Sequence, residues 1–293
     1  MTKVSWFGCA RSGCRGPLAM PRGAIADGTA RCRACGAMFP VLAGVPILVP
    51  APAHWMAAHR DAILATLVEH DAATPRAVAV VDAFADAARD AEPARFGDDW
   101  VADEDAAFAL ALPPGERALD VVERLVGPRP GVVLELGCGD GGVAARLAAR
   151  TRRLVVADLS LRAVLRARRR AAGAAAVVLD ADAPCLAPAS FDTIVAANLV
   201  DVIDRPDELI AAAAAALRPG GALVLSTPQP GLGAPDDDPA VLVAMLGRAG
   251  LDVDEVVEAA PWPRVHGPRY AQLYACWVGV ARKRARRRAR AAR

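Results

Sequence analysis

Apolar positions in the second half of this chain switch between two periods. Short, nearly continuous apolar runs at 132–136, 154–157, 176–179, 192–197 and 221–226 suit buried strands, while 142–149, 161–171 and 206–216 space their apolar residues three and four apart, as helices do. The alternation predicts an α/β domain built on a doubly wound, mostly parallel sheet, with ligands bound at the carboxyl ends of its strands. After a loop rich in Pro, Gly and Asp at 228–239, a helix is expected over 239–249. The apolar runs from Leu251 to Val257 and from Gln272 to Ala281 then suit an antiparallel pair, bringing the strands to seven.

Upstream the pattern changes. Ala57 to His70 and Ala77 to Ala91 carry helical spacing (Ile63, Leu64, Leu67 and Val68; then Val78, Val81 and Phe84), punctuated by Pro75 and Pro93. A further helical run, 103–111, follows Phe96 and Trp100. Residues 1–50 are rich in Gly and Cys and short of core. The expected organisation is a small ribbon at 1–50, a helical linker or lid at 51–130, an α/β domain at 131–281 and a basic tail at 282–293.

Composition bounds the setting. No apolar run approaches the ~18 residues that span a bilayer, and the first residues lack the charged-then-apolar layout of an export signal, so no membrane partner and a cytoplasmic location are expected. The seven cysteines are odd in number and unevenly placed, which suits reduced thiols and a metal site better than disulfides. The net charge of +2 hides an asymmetry: the last twelve residues carry eight positive side chains, so the other 281 hold a net −6. Such a tail reads either as a solvated end or as an arm for a polyanion; it lacks the interleaved aromatic residues that stack on bases.

The densest chemical signal is Val132-Val-Leu-Glu-Leu-Gly-Cys-Gly-Asp-Gly-Gly142, a strand running into glycines and then a helix. Gly137 and Gly139 let the backbone approach a ligand closely, and the N–H groups at the helix start favour polar or anionic groups. Asp158 ends the next strand about twenty residues on, where a carboxylate can take both hydroxyls of a ribose. Spacing alone leaves a nicotinamide dinucleotide open, since glycines 137, 139 and 142 also satisfy that pattern.

Four ordered blocks over roughly 150 residues resemble the class I S-adenosylmethionine-dependent methyltransferases, in particular the type 11 group. They are Leu134-Glu-Leu-Gly-Cys-Gly-Asp-Gly141, Asp158-Leu159, Asp180-Ala-Asp-Ala-Pro-Cys-Leu-Ala-Pro-Ala-Ser-Phe-Asp192 and Leu217-Arg-Pro-Gly-Gly-Ala-Leu-Val-Leu-Ser226. The resemblance implies a seven-stranded sheet and S-adenosylmethionine as cofactor. It implies that Gly137, Cys138 and Gly139 lie on the methionine portion, Glu135 orients that loop, Asp158 and Leu159 hold the ribose, Asp180 and the backbone of Ala181 bond the adenine, and Asn198 and Leu199 line the transfer site.

Cys9-x4-Cys14 and, seventeen residues later, Cys32-x2-Cys35 can bring two thiolate pairs on two turns around one structural Zn²⁺, which would supply the folding energy that about 40 residues cannot draw from an apolar core. With Met38-Phe-Pro-Val-Leu-Ala-Gly-Val-Pro-Ile-Leu-Val-Pro50, these stretches resemble the small zinc-ribbon activator of tRNA and translation-factor methyltransferases. That family usually places two residues, not four, within the first pair.

Asn198-Leu-Val-Asp stands where methyltransferases of amides and exocyclic amines carry Asn-Pro-Pro-Tyr, which points away from such acceptors. His266, in a Pro-, Trp-, Arg- and Tyr-rich loop expected at 261–270 that could close over an acceptor, is the histidine that could deprotonate a hydroxyl or carboxyl group on it. The expected activity is therefore methylation, at oxygen, of a small molecule or biosynthetic intermediate. A methyltransferase docking RNA or protein through ribbon and tail, and a non-catalytic cofactor-binding module, are the alternatives.

Overall fold

The structure, a computed structural model, describes residues 4–21, 26–88, 116–234, 237–267 and 270–284. The expected run at 103–111, with Phe96 and Trp100, falls outside them.

Five parallel strands form the centre: β5 (Val132–Leu136), β6 (Arg153–Asp158), β7 (Ala175–Leu179), β8 (Phe191–Ala197) and β9 (Leu217–Thr227). The long antiparallel strands β10 (Leu251–Gly267) and β11 (Tyr270–Lys283) close the sheet, giving the order β7-β6-β5-β8-β9-β11-β10. The helices are α1 (Pro52–Ala58), α2 (Arg60–Glu69), α3 (Pro75–Ala85), α4 (Ala118–Val126), α5 (Gly142–Leu147), α6 (Leu161–Arg170), α7 (Pro206–Ala216) and α8 (Ala240–Arg248).

Side-chain alternation along each central strand builds two cores. Val133, Val156, Val178, Val195 and Val224 face one way, toward α1 to α6. Leu134, Val155, Val177, Ile194 and Leu223 face the other, toward α7, α8 and the amino-terminal residues. Both faces are covered, which is why these strands read as apolar runs and not as an alternating pattern.

The amino-terminal strands β1 (Leu18–Ala19), β2 (Gly28–Cys32), β3 (Met38–Leu42) and β4 (Val45–Leu48) form an antiparallel meander whose last strand pairs in parallel with β7, Ile47 beside Val178 and Leu48 beside Leu179. The seven-stranded sheet therefore continues into the ribbon as eleven strands. Residues 6–8 hold the ribbon from the opposite core. Gly8 N–H donates to Cys185 O at 2.7 Å, Ala187 N–H to Trp6 O at 2.8 Å, and Trp6 and Phe7 lie 6.2 and 6.4 Å from the Phe191 ring. Beneath α3, the buried Asp27 carboxylate accepts Ala43 N–H at 2.8 Å and the Thr74 hydroxyl at 2.9 Å, while Thr74 also caps α3.

Several boundaries differ from the periodicity for local reasons. The helix expected at 57–70 is broken near its start, where His59 takes a non-helical φ of −115° and sets its ring against Trp55, centres 5.2 Å apart and planes tilted by 47°. That at 77–91 begins at Pro75, whose fixed φ suits a first helical turn. Stretch 261–270, read as a loop, is for the most part strand: β10 continues through Gly267, with register irregularities between Val257 and Ala260 and between Val265 and Gly267.

Gly141, the residue before α5, has φ +91°, and a Cβ there would stand 2.5 Å from the Ala167 Cα of α6. Gly141→Ala should cost about 2–4 kcal/mol, joining backbone strain to a clash with a neighbouring helix, read as a lowered urea midpoint.

Candidate functional site

The parallel strands end on a common side, and the connections leaving β5 and β8 turn to opposite faces of the sheet, so a crevice opens between them. It is a cavity of about 200 Å³. All ten residues expected at a cofactor, Glu135, Gly137, Cys138, Gly139, Asp158, Leu159, Asp180, Ala181, Asn198 and Leu199, line it. So do Leu119, Asp140, Val143, Ser160, Asp182, Val202, Ile203, Trp262 and Arg264, which the motifs did not mark.

The glycine loop is shaped by its neighbours. Gly137 has φ +65°, and a Cβ there would stand 3.0 Å from a methyl carbon of Leu199, so a larger residue would push the loop off the end of β8. Gly139 has φ +50° and open space where its Cβ would be. Its N–H donates at 3.0 Å to one Asp158 carboxylate oxygen, while Ser160 N–H donates at 3.0 Å to the other. Asp158 thus clamps the loops after β5 and β6 together. An ionised carboxylate has about four acceptor positions, so these two bonds do not by themselves exhaust it. Asp140 in turn accepts Gly142 N–H at 3.2 Å and pairs with Arg170 of α6.

On the β7 side, burial raises the Asp180 carboxyl above the ordinary range, opposed by the Asp182 N–H it accepts at 2.9 Å. Asp182 accepts Arg205 N–H at 2.7 Å, which ties this loop to the start of α7. Asn198 sits at φ +50°, a left-handed conformation that Asn tolerates better than most residues. Its N–H reaches Ser226 O at 2.7 Å, and its Oδ1 accepts the Ser226 hydroxyl at 2.9 Å. Ser226 is fully buried, so this bond fixes the amide at the cavity wall in one orientation.

Three cysteines are unsuited to nucleophilic work. Burial pushes the Cys138 thiol well above its usual range, and raises Cys185 and Cys276 to about 12. The other four converge elsewhere. The sulfurs of Cys9, Cys14, Cys32 and Cys35 lie within 4.8 Å of one another, Cys9 being 3.6 Å from Cys35 and Cys14 3.8 Å from Cys32. Four sulfurs at about 2.3 Å from one tetrahedral ion stand about 3.8 Å apart, so the set fits such an ion. Gly16 N–H and Ala34 N–H donate to the Cys14 and Cys32 sulfurs at 3.4 Å, and a Cβ on Gly16 would strike Cys32 Sγ at 2.9 Å. The longer first loop does not keep Cys9 from the cluster.

The backbone of His266 lies in β10 at the register irregularity between Val265 and Gly267; its side chain is outside the described set.

Against known proteins, the central strands carry the likeness. Residues 133–221 match the family model described as a methyltransferase domain. Methyltransferase nsrG of Aspergillus novofumigatus is 31% identical over 158 residues, covering 49% of this chain; the chain spans only 59% of that relative's length. Among solved structures, an S-adenosylmethionine-dependent methyltransferase from Mesorhizobium loti aligns over 57% of this chain and 98% of its own at 18% identity, TM-score 0.46. N-methyltransferase NodS of Bradyrhizobium japonicum, in complex with S-adenosyl-L-homocysteine, covers 57% of this chain and 89% of its own at 20% identity, TM-score 0.44.

Proposed function

We propose that this chain is an S-adenosylmethionine-dependent methyltransferase acting at oxygen on a small molecule or biosynthetic intermediate. The observation that carries the reading is the convergence of the ten expected cofactor residues on one cavity at the carboxyl ends of strands that match a methyltransferase domain. When bound, the cofactor supplies an electrophilic methyl group on a sulfonium. Asp158 would hold the ribose, Asp180 and the backbone of Ala181 the adenine, and Gly137, Cys138 and Gly139 the methionine portion, with Glu135 beneath them. Alignment of acceptor, methyl and sulfur supplies most of the rate in such a transfer, so the chain's work is to position and to exclude water.

The RNA- or protein-docking alternative has less support. The basic tail leaves from the end of β11 that pairs with the beginning of β9, opposite the strand ends that form the cavity. Its first residues are engaged in the body: Arg282 with Asp254, Arg284 with Asp252, and Lys283 Nζ at 2.7 Å from Leu217 O.

Calorimetry should show S-adenosylhomocysteine binding far more tightly than NADH, and Asp158→Ala should weaken it by about 1.5–3 kcal/mol through loss of charge-assisted ribose bonds and of the loop clamp. Tight NADH binding without the S-adenosyl ligand would refute the assignment.

The four-cysteine cluster is proposed as a structural zinc site. Elemental analysis should find one zinc per chain, and Cys32→Ser or chelation should unfold the ribbon, seen as fast amide exchange over residues 5–48. A metal-free preparation with those amides still protected would count against it.

His266 is proposed as the base for a hydroxyl or carboxyl acceptor. His266→Ala should lower kcat by about 10²-fold, measured as S-adenosylhomocysteine release, and leave cofactor affinity unchanged, since base assistance acts in the transition state.

A further inference from the structure

Of the cavity's walls, the one made by β10 carries none of the ten residues assigned to the cofactor. β11 pairs with β9 only from Trp277 to Arg282, whereas β10 and β11 go on pairing with each other from Ala260 and Cys276 out to Gly267 and Tyr270. The hairpin therefore projects past the last paired residue of β9 as a two-stranded arm. On this arm Trp262 and Tyr274 stack, ring centres 5.3 Å apart and planes 30° apart, and Trp262 and Arg264, two residues apart on one face of the strand, both line the cavity.

Charge around the cavity is one-sided. Glu135, Asp140, Asp158, Asp180 and Asp182 line it at the ends of β5, β6 and β7, and Arg264 is the single basic side chain among the described lining residues. The carboxylates suit the hydroxyls, amines and positive charge of the cofactor. The guanidinium faces the same space from the arm, with Leu119, Val143, Val202 and Ile203 contributing apolar surface.

We infer that the projecting arm is the acceptor subsite and that it takes a flat, apolar acceptor bearing a carboxylate, its ring plane on Trp262 and its carboxylate on Arg264. This rests on the methyltransferase reading and specifies its substrate class. An indole face offers a large apolar contact at small entropic cost, and Arg binds a carboxylate through paired N–H donors that Lys cannot match.

The test uses the full chain saturated with S-adenosylhomocysteine and two probes of one shape, naphthalene-2-carboxylate and naphthalene-2-carboxamide, titrated by calorimetry. The carboxylate should bind about tenfold more tightly than the amide. Arg264→Gln should erase that preference while leaving S-adenosylhomocysteine affinity unchanged, and Trp262→Ala should weaken both probes alike. Equal affinities, no binding of either probe, or a preference that survives Arg264→Gln would overturn the inference. So would a loss of S-adenosylhomocysteine affinity in Arg264→Gln, which would assign this guanidinium to the cofactor's own carboxylate. Failure of the wild-type chain to bind S-adenosylhomocysteine at all would instead defeat the methyltransferase reading, before any probe is added.

Discussion

The β5 side of the cavity is shaped by one carboxylate that ties two neighbouring loops together. The connections after β5 and β6 both run to the face of α1 to α6, and the backbone N–H groups where they leave the strands need partners. Asp158 meets two of them, Gly139 from the loop after β5 and Ser160 from the loop after β6. In the same loop Gly137 passes against the Leu199 side chain and Gly141 lies on the Ala167 backbone, at positive φ in both cases, and at Gly141 there is no room for a side chain. A residue read from sequence as a ribose ligand is also the fastener of its own binding site.

A second constraint is the ribbon's attachment. An isolated ribbon of about 40 residues has little apolar core, and this one borrows from the larger domain on two sides. β4 adds to the free edge of β7, which removes an exposed parallel edge from the sheet. Residues 6–8 meanwhile lie along 185–187 and pack their rings on Phe191. The segment from Asp180 to Phe191 is thus held by the ribbon at one end and, through Asp182 and Arg205, by the start of α7 at the other.

Much of this was legible because it depends on local periodicity. The buried central strands announce themselves by continuous apolar runs, and helix 206–216 has the bounds its spacing predicts. The convergence of the ten expected cofactor residues on one cavity was legible because glycines and carboxylates stand at fixed offsets from strand ends. What sequence could not show depends on tertiary partners. The union of β4 with β7, the break at His59, the Ser226 bond that orients Asn198 and the choice of strand over loop at 261–267 leave no periodic trace. Pro261 and Pro263 argue against a strand locally, yet an edge position such as that of β10 tolerates proline, because only one side of the strand needs donors.

The same edge position suits the acceptor role proposed for β10. Interior strands are committed on both faces to the two cores, and their end loops are committed to the cofactor wall, so variation there disturbs packing or the clamp on Asp158. Past the end of β9, the β10–β11 arm pairs with itself, while Ala260 and Cys276 at its base are buried in the core and Trp262 and Tyr274 pack against it. On the proposed reading, a scaffold with one projecting wall separates two demands of methyl transfer, a fixed seat for the methyl donor and an adjustable seat for what receives it. Trp262 and Arg264 line the cavity from that wall, so the reading places the acceptor's identity in the hairpin and not in the motifs that mark the domain.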